Sequence, residues 1–143
     1  MYISNVHFGE FYDEETKKPA LFQVYQNAYG LTEMNVNSSI MGSKTVDEIN
    51  EIIRNTSVNL PRNLEEAIAH ECGHAKAYYG KSAKEVEEMN KAIAKSGVEG
   101  ISIIALSDGA ECIAEVEVLL YRGEPVPQKA MDLYNKYTKG KKE

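Results

Sequence analysis

The segment AIAHECGHAKAYYG, residues 67–80, carries two of the chain's three histidines four positions apart, with a glutamate directly after the first. On a helix, a step of four returns to the same face one turn along. His70 and His74 can then offer two imidazoles to one metal ion, with Glu71 beside them as a general base. The chemistry of such a set is activation of water: the ion lowers its pKa and the carboxylate takes its proton. Catalytic zinc sites use three protein ligands, so a third must come from elsewhere. His7, the remaining histidine, lies in a strand-like opening and reads as an ordinary strand residue. Cys72 is two positions from His70, points away from the histidine face, and is expected to pack in the core.

Better candidates lie in SDGAECIAEVEVLLYRGE, 107–124. Glu111 and Glu115 are four apart on one expected helix, whose apolar positions Ile113, Val116, Leu119 and Leu120 are free to face a core. The first carboxylate can bind a metal, and the second, one turn on, can accept a hydrogen bond from a ligand histidine. Taken alone, the pair also reads as a solvated acidic face, because glutamate is common on helix surfaces. The HExxH segment is what favours the ligand role for Glu111 and the supporting role for Glu115.

The elements that must position these residues fall into two halves. LFQVYQNAYG and LTEMNVNS alternate partially and contain strand-favouring residues, with Gly30 as the turn between them. YDEETKKPA, before them, is polar, contains Pro19, and reads as a hairpin connection or exposed loop. From Thr45 onward, Thr45/Glu48, Asn63/Glu66 and Ser82/Glu85 have capping-box spacing, and Gly80, Gly97 and Gly123 stand where helices would end. These signals predict helices at 45–55, 63–79, 83–96, 108–122 and 127–138, the last opened by Pro127. GISIIALS, 100–107, is a short strand or a buried loop. Within the second helix Leu64, Ile68, Ala75 and Tyr78 are spaced to face a core, while Ala67 and Ala77 flank the histidines and leave room there. The fold class is therefore α+β, with a small antiparallel N-terminal sheet followed by a helical half that carries both motifs.

HExxH followed on a later helix by E-x-x-A-E resembles the gluzincin group of zinc metallopeptidases. His70, Glu71 and His74 match the first motif; Glu111, Ala114 and Glu115 match the second. NLPRNLEEAIAHECGHAKAYYGKS and the preceding TVDEINEIIRNTSVNLP resemble the metallopeptidase-like segment of phage and prophage head-morphogenesis proteins, over roughly residues 20–125. The resemblance implies a zincin-like fold and Zn2+ held by His70, His74 and Glu111. It further implies Glu71 as the base, Glu115 supporting the ligands, and a peptide or protein substrate. It departs at one point. Related peptidases often carry a tyrosine shortly before the third ligand, and ISIIALSDGA has none, which leaves Tyr78, Tyr79 or Tyr121 as substitutes. Two functions of different class follow: a zinc-dependent peptidase, which Glu71 favours, or a virion or interaction module stapled by zinc, which the missing tyrosine favours.

At 143 residues the chain is expected to form a single domain, with a β-rich part at 1–44, a helical part at 45–138 and a short basic tail at 139–143. A net charge of −6 argues against broad nucleic-acid binding, which needs a basic face. No apolar run approaches a membrane span, and the opening MYISNVHFGEF lacks a signal peptide's basic and apolar regions. Two cysteines make no disulfide framework. A cytoplasmic or virion-associated protein is expected, and its oligomeric state is open.

Overall fold

The structure is a computed structural model, and it describes residues 3–12, 20–56, 60–102, 105 and 109–138. The first elements are three strands, β1 (Asn5–Gly9), β2 (Phe22–Gln26) and β3 (Thr32–Asn37), arranged β1–β3–β2. β2 and β3 form the expected hairpin. Asn27 and Leu31 close its turn by a 2.9 Å backbone bond, and Gly30 takes φ of 77° there, a conformation that disfavours side chains. The sheet is nevertheless mixed, not antiparallel. β1 runs parallel to β3, with Val6 opposite Met34, while Val24 of β2 meets Met34 from the other side in antiparallel register. Alternation of apolar residues tells which face a strand buries but not which neighbour it pairs with, so order and direction were open. Because β3 lies between them, β1 and β2 are not joined as a hairpin; residues 13–19 of that connection lie outside the described residues.

Helices follow: α1 (Ser38–Met41), α2 (Val46–Thr56), α3 (Leu64–Tyr78), α4 (Ala83–Ser96), α5 (Gly109–Arg122) and α6 (Gln128–Thr138). The five longer ones start and stop within a residue of the expected spans, and the side-chain caps expected for α2, α3 and α4 form. Ser82 and Glu85 make a complete capping box, and Thr45 and Glu48 exchange the same two bonds at 3.1 and 3.2 Å. Asn63 caps α3 by accepting from Glu66 N at 2.9 Å, but the Glu66 carboxylate reaches Arg62 N and Arg122 instead of completing the box. α1 was not anticipated. It is a single turn held by Asn37, whose fully buried side chain also donates to Phe11 O and Ala20 O. Gly100 to Ser102 are non-helical, and most of the rest of 100–107 lies outside the described residues.

α3 and α5 lie side by side, with α4 and α6 packed around α5. Met89 and Ile93 of α4, Ile113 and Val116 of α5, and Ala130 and Tyr134 of α6 share one apolar cluster with Ala77. Lys76 of α3, Glu117 of α5 and Tyr134 of α6 add a polar link, with Lys76 Nζ 2.6 Å from Glu117 and the Tyr134 hydroxyl donating to the same carboxylate. Burial, followed by that hydrogen bond, pushes the Tyr134 phenol up to about 12. Gln26 ties the sheet to this layer by donating to Lys81 O at 2.7 Å.

Several expected core positions are different. Ile68 and Leu120 are 42% and 40% exposed, and Cys72 is only half-buried. Ala77 is in the core cluster rather than beside a cavity at the histidines. The reason is that α3 is weakly amphipathic, so its own sequence does not decide which side turns inward. α5 decides it. The two helices meet at Gly73, where an added Cβ would lie 2.6 Å from Ala114 Cα and 3.0 Å from Glu117 Cβ. The contact turns the histidine side of α3 inward along with Gly73, and it leaves Ile68 and Cys72 in an apolar groove of about 510 Å³ with Ile3, Ala69, Leu120 and Tyr121.

Gly73→Ala tests how closely the helices must approach. Alanine would gain about 1 kcal/mol in helix propensity, but overpacking against backbone costs about 1–3 kcal/mol or more. A net loss of stability is expected in urea denaturation. A higher midpoint would mean that α3 and α5 separate freely.

Candidate metal centre

The close approach at Gly73 brings the first turns of α5 against the middle of α3. His70 Nε2 lies 3.0 Å from Glu111 Oε2, and His74 Nε2 lies 3.1 Å from Glu111 Oε1. The three ligand atoms are all within 4.8 Å of one another. Around a tetrahedral ion with bonds of roughly 2.0–2.1 Å, ligand atoms are about 3.3 Å apart. The two histidine–carboxylate contacts are close to that size and all three ligand atoms stay within 4.8 Å, so these residues could hold a metal ion.

Hydrogen bonding on the other side of His70 strengthens this fit. Its Nδ1 lies 3.2 Å from Glu115 Oε2, and a carboxylate oxygen there accepts the Nδ1 proton. That fixes the tautomer: in neutral His70 the proton is on Nδ1, and Nε2 carries a bare lone pair aimed at Glu111. Two acceptors cannot face each other at 3.0 Å in a buried place unless a cation lies between them or a second proton is taken up. His74 is oriented by packing instead. Its ring meets His70 edge-on at 4.9 Å and lies near-parallel to Tyr78 at 6.0 Å. Its Nδ1 is buried with no partner among the described residues.

Glu115 is 0% exposed, so the solvated acidic face that its sequence also permitted is not what forms. Its Oε1 accepts from Leu60 N at 3.0 Å and from Ser102 Oγ at 2.9 Å. Without such partners a buried carboxylate would cost several kcal/mol. Glu71 is half-buried next to the triad. Burial pushes its carboxyl above its ordinary value, His74 and His70 pull it back, and Glu111 raises it again. An elevated carboxyl beside two imidazoles suits a group that must accept and return a proton near neutrality.

The structure thus brings together His70, His74, Glu111, Glu115 and Glu71. It keeps His7 and Cys72 apart from them. His7 is on exposed β1, 2.6 Å from Glu33, and Cys72 is in the apolar groove on the side of α3 turned away from the histidines. Tyr121 lines that groove too and donates to Glu65 at 2.5 Å, so it is not placed to replace the missing tyrosine. Tyr78 is on the site's own face of α3. Three positions escaped the sequence reading: Gly73, Leu60 and Ser102. A glycine in mid-helix, where alanine is favoured by about 1 kcal/mol, was a visible signal of close approach. Leu60 contributes a backbone N–H and Ser102 a common residue type, and neither has a local signature. Comparisons of the chain with protein families, curated proteins and solved structures find no match.

In the metal-free state burial lowers the tendency of His70 to protonate, but hydrogen bonds to Glu111 and Glu115 outweigh it and raise the group from 6.5 to about 10. Glu111 shows the same contact from its partner: burial raises it, and the two histidines more than reverse that, so it ends well below the usual carboxylate range. A raised folded-state pKa stabilises fully below the unfolded value and loses that contribution as pH rises through the folded one. The urea midpoint of metal-stripped protein should therefore fall between about pH 6.5 and pH 10. His70→Gln should flatten the fall. A profile identical in wild type and variant would remove the imidazolium from the metal-free site.

Proposed function

We propose that the protein is a zinc-dependent peptidase of the gluzincin kind, acting on a peptide or protein substrate. The observation that carries the reading is the convergence of His70, His74 and Glu111 on one point, with Glu71 adjoining it. Imidazole nitrogens with a carboxylate are a donor set suited to zinc. His70, His74 and Glu111 would hold the ion, which when bound supplies a Lewis acid able to acidify water and polarise a carbonyl. Glu71 accepts a proton from the attacking water and hands it to the leaving nitrogen. Glu115 keeps the His70 ring in the tautomer and orientation that leave Nε2 free for the ion. Tyr78, stacked on His74, would stand beside the bound substrate.

A second reading is a virion or interaction module in which zinc fastens α3 to α5. It draws support from the absence of a tyrosine in the stretch ISIIALSDGA before Glu111. Among the described residues no helix is long and apolar enough to cross a membrane.

Zinc content and Glu71→Gln separate the two. Purified protein should carry about one zinc per chain, and His74→Ala should lose most of it. Glu111→Ala should weaken binding more than Glu115→Ala does in a chelator titration. Glu71→Gln preserves shape and should keep the metal, while hydrolysis of any responsive peptide drops at least about a hundredfold. If wild type cuts nothing in a broad peptide library and chelation only lowers the melting temperature, zinc is a staple. Activity unchanged in Glu71→Gln would defeat the mechanism.

A further inference from the structure

We infer that Ser102 is a positioning residue for the metal centre, acting through Glu115 on the ring of His70. This role presupposes the metal site of His70, His74 and Glu111 and extends it to a segment outside both helices. A carboxylate held by one hydrogen bond can turn about its own axis, and it then fixes no ring angle in its partner. Glu115 is held on both oxygens. Oε2 faces His70 Nδ1 and Leu60 N, each at 3.2 Å, while Oε1 takes Leu60 N at 3.0 Å and Ser102 Oγ at 2.9 Å.

Ser102 is itself oriented for this. A serine hydroxyl has one proton and two lone pairs. Ala105 N donates to Ser102 Oγ at 3.3 Å, which occupies a lone pair and leaves the single proton for Glu115. Residue 60 is also anchored through the next peptide, where the Leu60 carbonyl accepts from Arg122 Nη2 at 2.5 Å. Arg122 is fixed in turn by Glu66, 2.9 Å from its Nε. Donors from residues 60 and 102 therefore meet on one buried carboxylate, and the His70 bond is the longest Glu115 makes, equalled only by the second Leu60 contact. Removing the hydroxyl leaves the single Leu60 N–H, shared between both oxygens, as the only donor opposite His70 among the described residues, which loosens the carboxylate and the angle it sets for the His70 ring. Loss of outer hydrogen-bond partners in metal sites costs about ten- to a hundredfold in affinity.

The test compares Ser102→Thr, which keeps the hydroxyl, with Ser102→Val, which has the same shape without it. Packing damage common to both cancels. Zn2+ affinity is measured by competition with a chromophoric chelator at one pH, and the site is examined by the visible spectrum of the Co2+-loaded protein. Ser102→Val should bind Zn2+ about ten- to a hundredfold more weakly than Ser102→Thr, with a shifted Co2+ spectrum. Ser102→Ala, which adds no bulk, should fall with Ser102→Val. Equal affinities across the three variants overturn the positioning role and leave the metal site standing. Wild type that takes up no Zn2+ overturns the site, and this role with it.

Discussion

The structure depends on one close approach. Gly73 and Ala114 let the backbones of α3 and α5 come together where an extra Cβ would sit 2.6 Å from its neighbour. Everything chemical in the molecule is arranged around that contact. On one side of it, His70 and His74 of α3 meet Glu111 and Glu115 of α5; on another, Lys76 meets Glu117 and Tyr134. The apolar cluster beneath, with Ile113 and Val116 fully buried, supplies the burial that holds the pair in place. Gly73, inside the histidine motif, thus allows two helices to share polar side chains at bonding distance.

The second constraint is electrostatic. Two imidazoles and two carboxylates are packed into a largely buried space, and such groups are tolerated only when each is paired. The contacts of His70 with Glu111 and Glu115 meet that need: they raise the tendency of the imidazole to hold a proton and, with His74, draw Glu111 below the usual carboxylate range. The same geometry, with the proton replaced by a divalent cation, offers lone pairs instead of hydrogen bonds. Proton and metal compete for one place, so binding at the site is linked to pH by the chemistry of its ligands. This duality explains how the helices can be closed around polar groups and still be open to an ion.

Support for the ligands comes from outside the helices that bear them. Leu60, before α3, and Ser102, in the non-helical stretch before α5, both donate to Glu115. The candidate metal centre is therefore a meeting of four segments. An apolar groove lies on the side of α3 away from the histidines, so the exposed Ile68 and Tyr121 belong to a surface separate from that cluster.

By itself the sequence determined whatever is set by near neighbours in the chain. Helix limits were legible because caps are local: Ser82 bonds Glu85, and Gly97 ends α4 with φ of 65°. The pairing of candidate residues was legible because a spacing of four puts His70 over His74, and Glu111 over Glu115, whatever surrounds them. Tertiary structure decided what depends on a partner distant in sequence. It chose the inward side of the weakly amphipathic α3, exposing Ile68 and moving Cys72 out of the core. It set β1 parallel to β3, a choice that alternation cannot encode. It buried Glu115 completely and supplied it with donors from Leu60 and Ser102. Those contacts span separations that no local pattern registers, because a backbone N–H looks the same at every residue until the fold brings it to an acceptor.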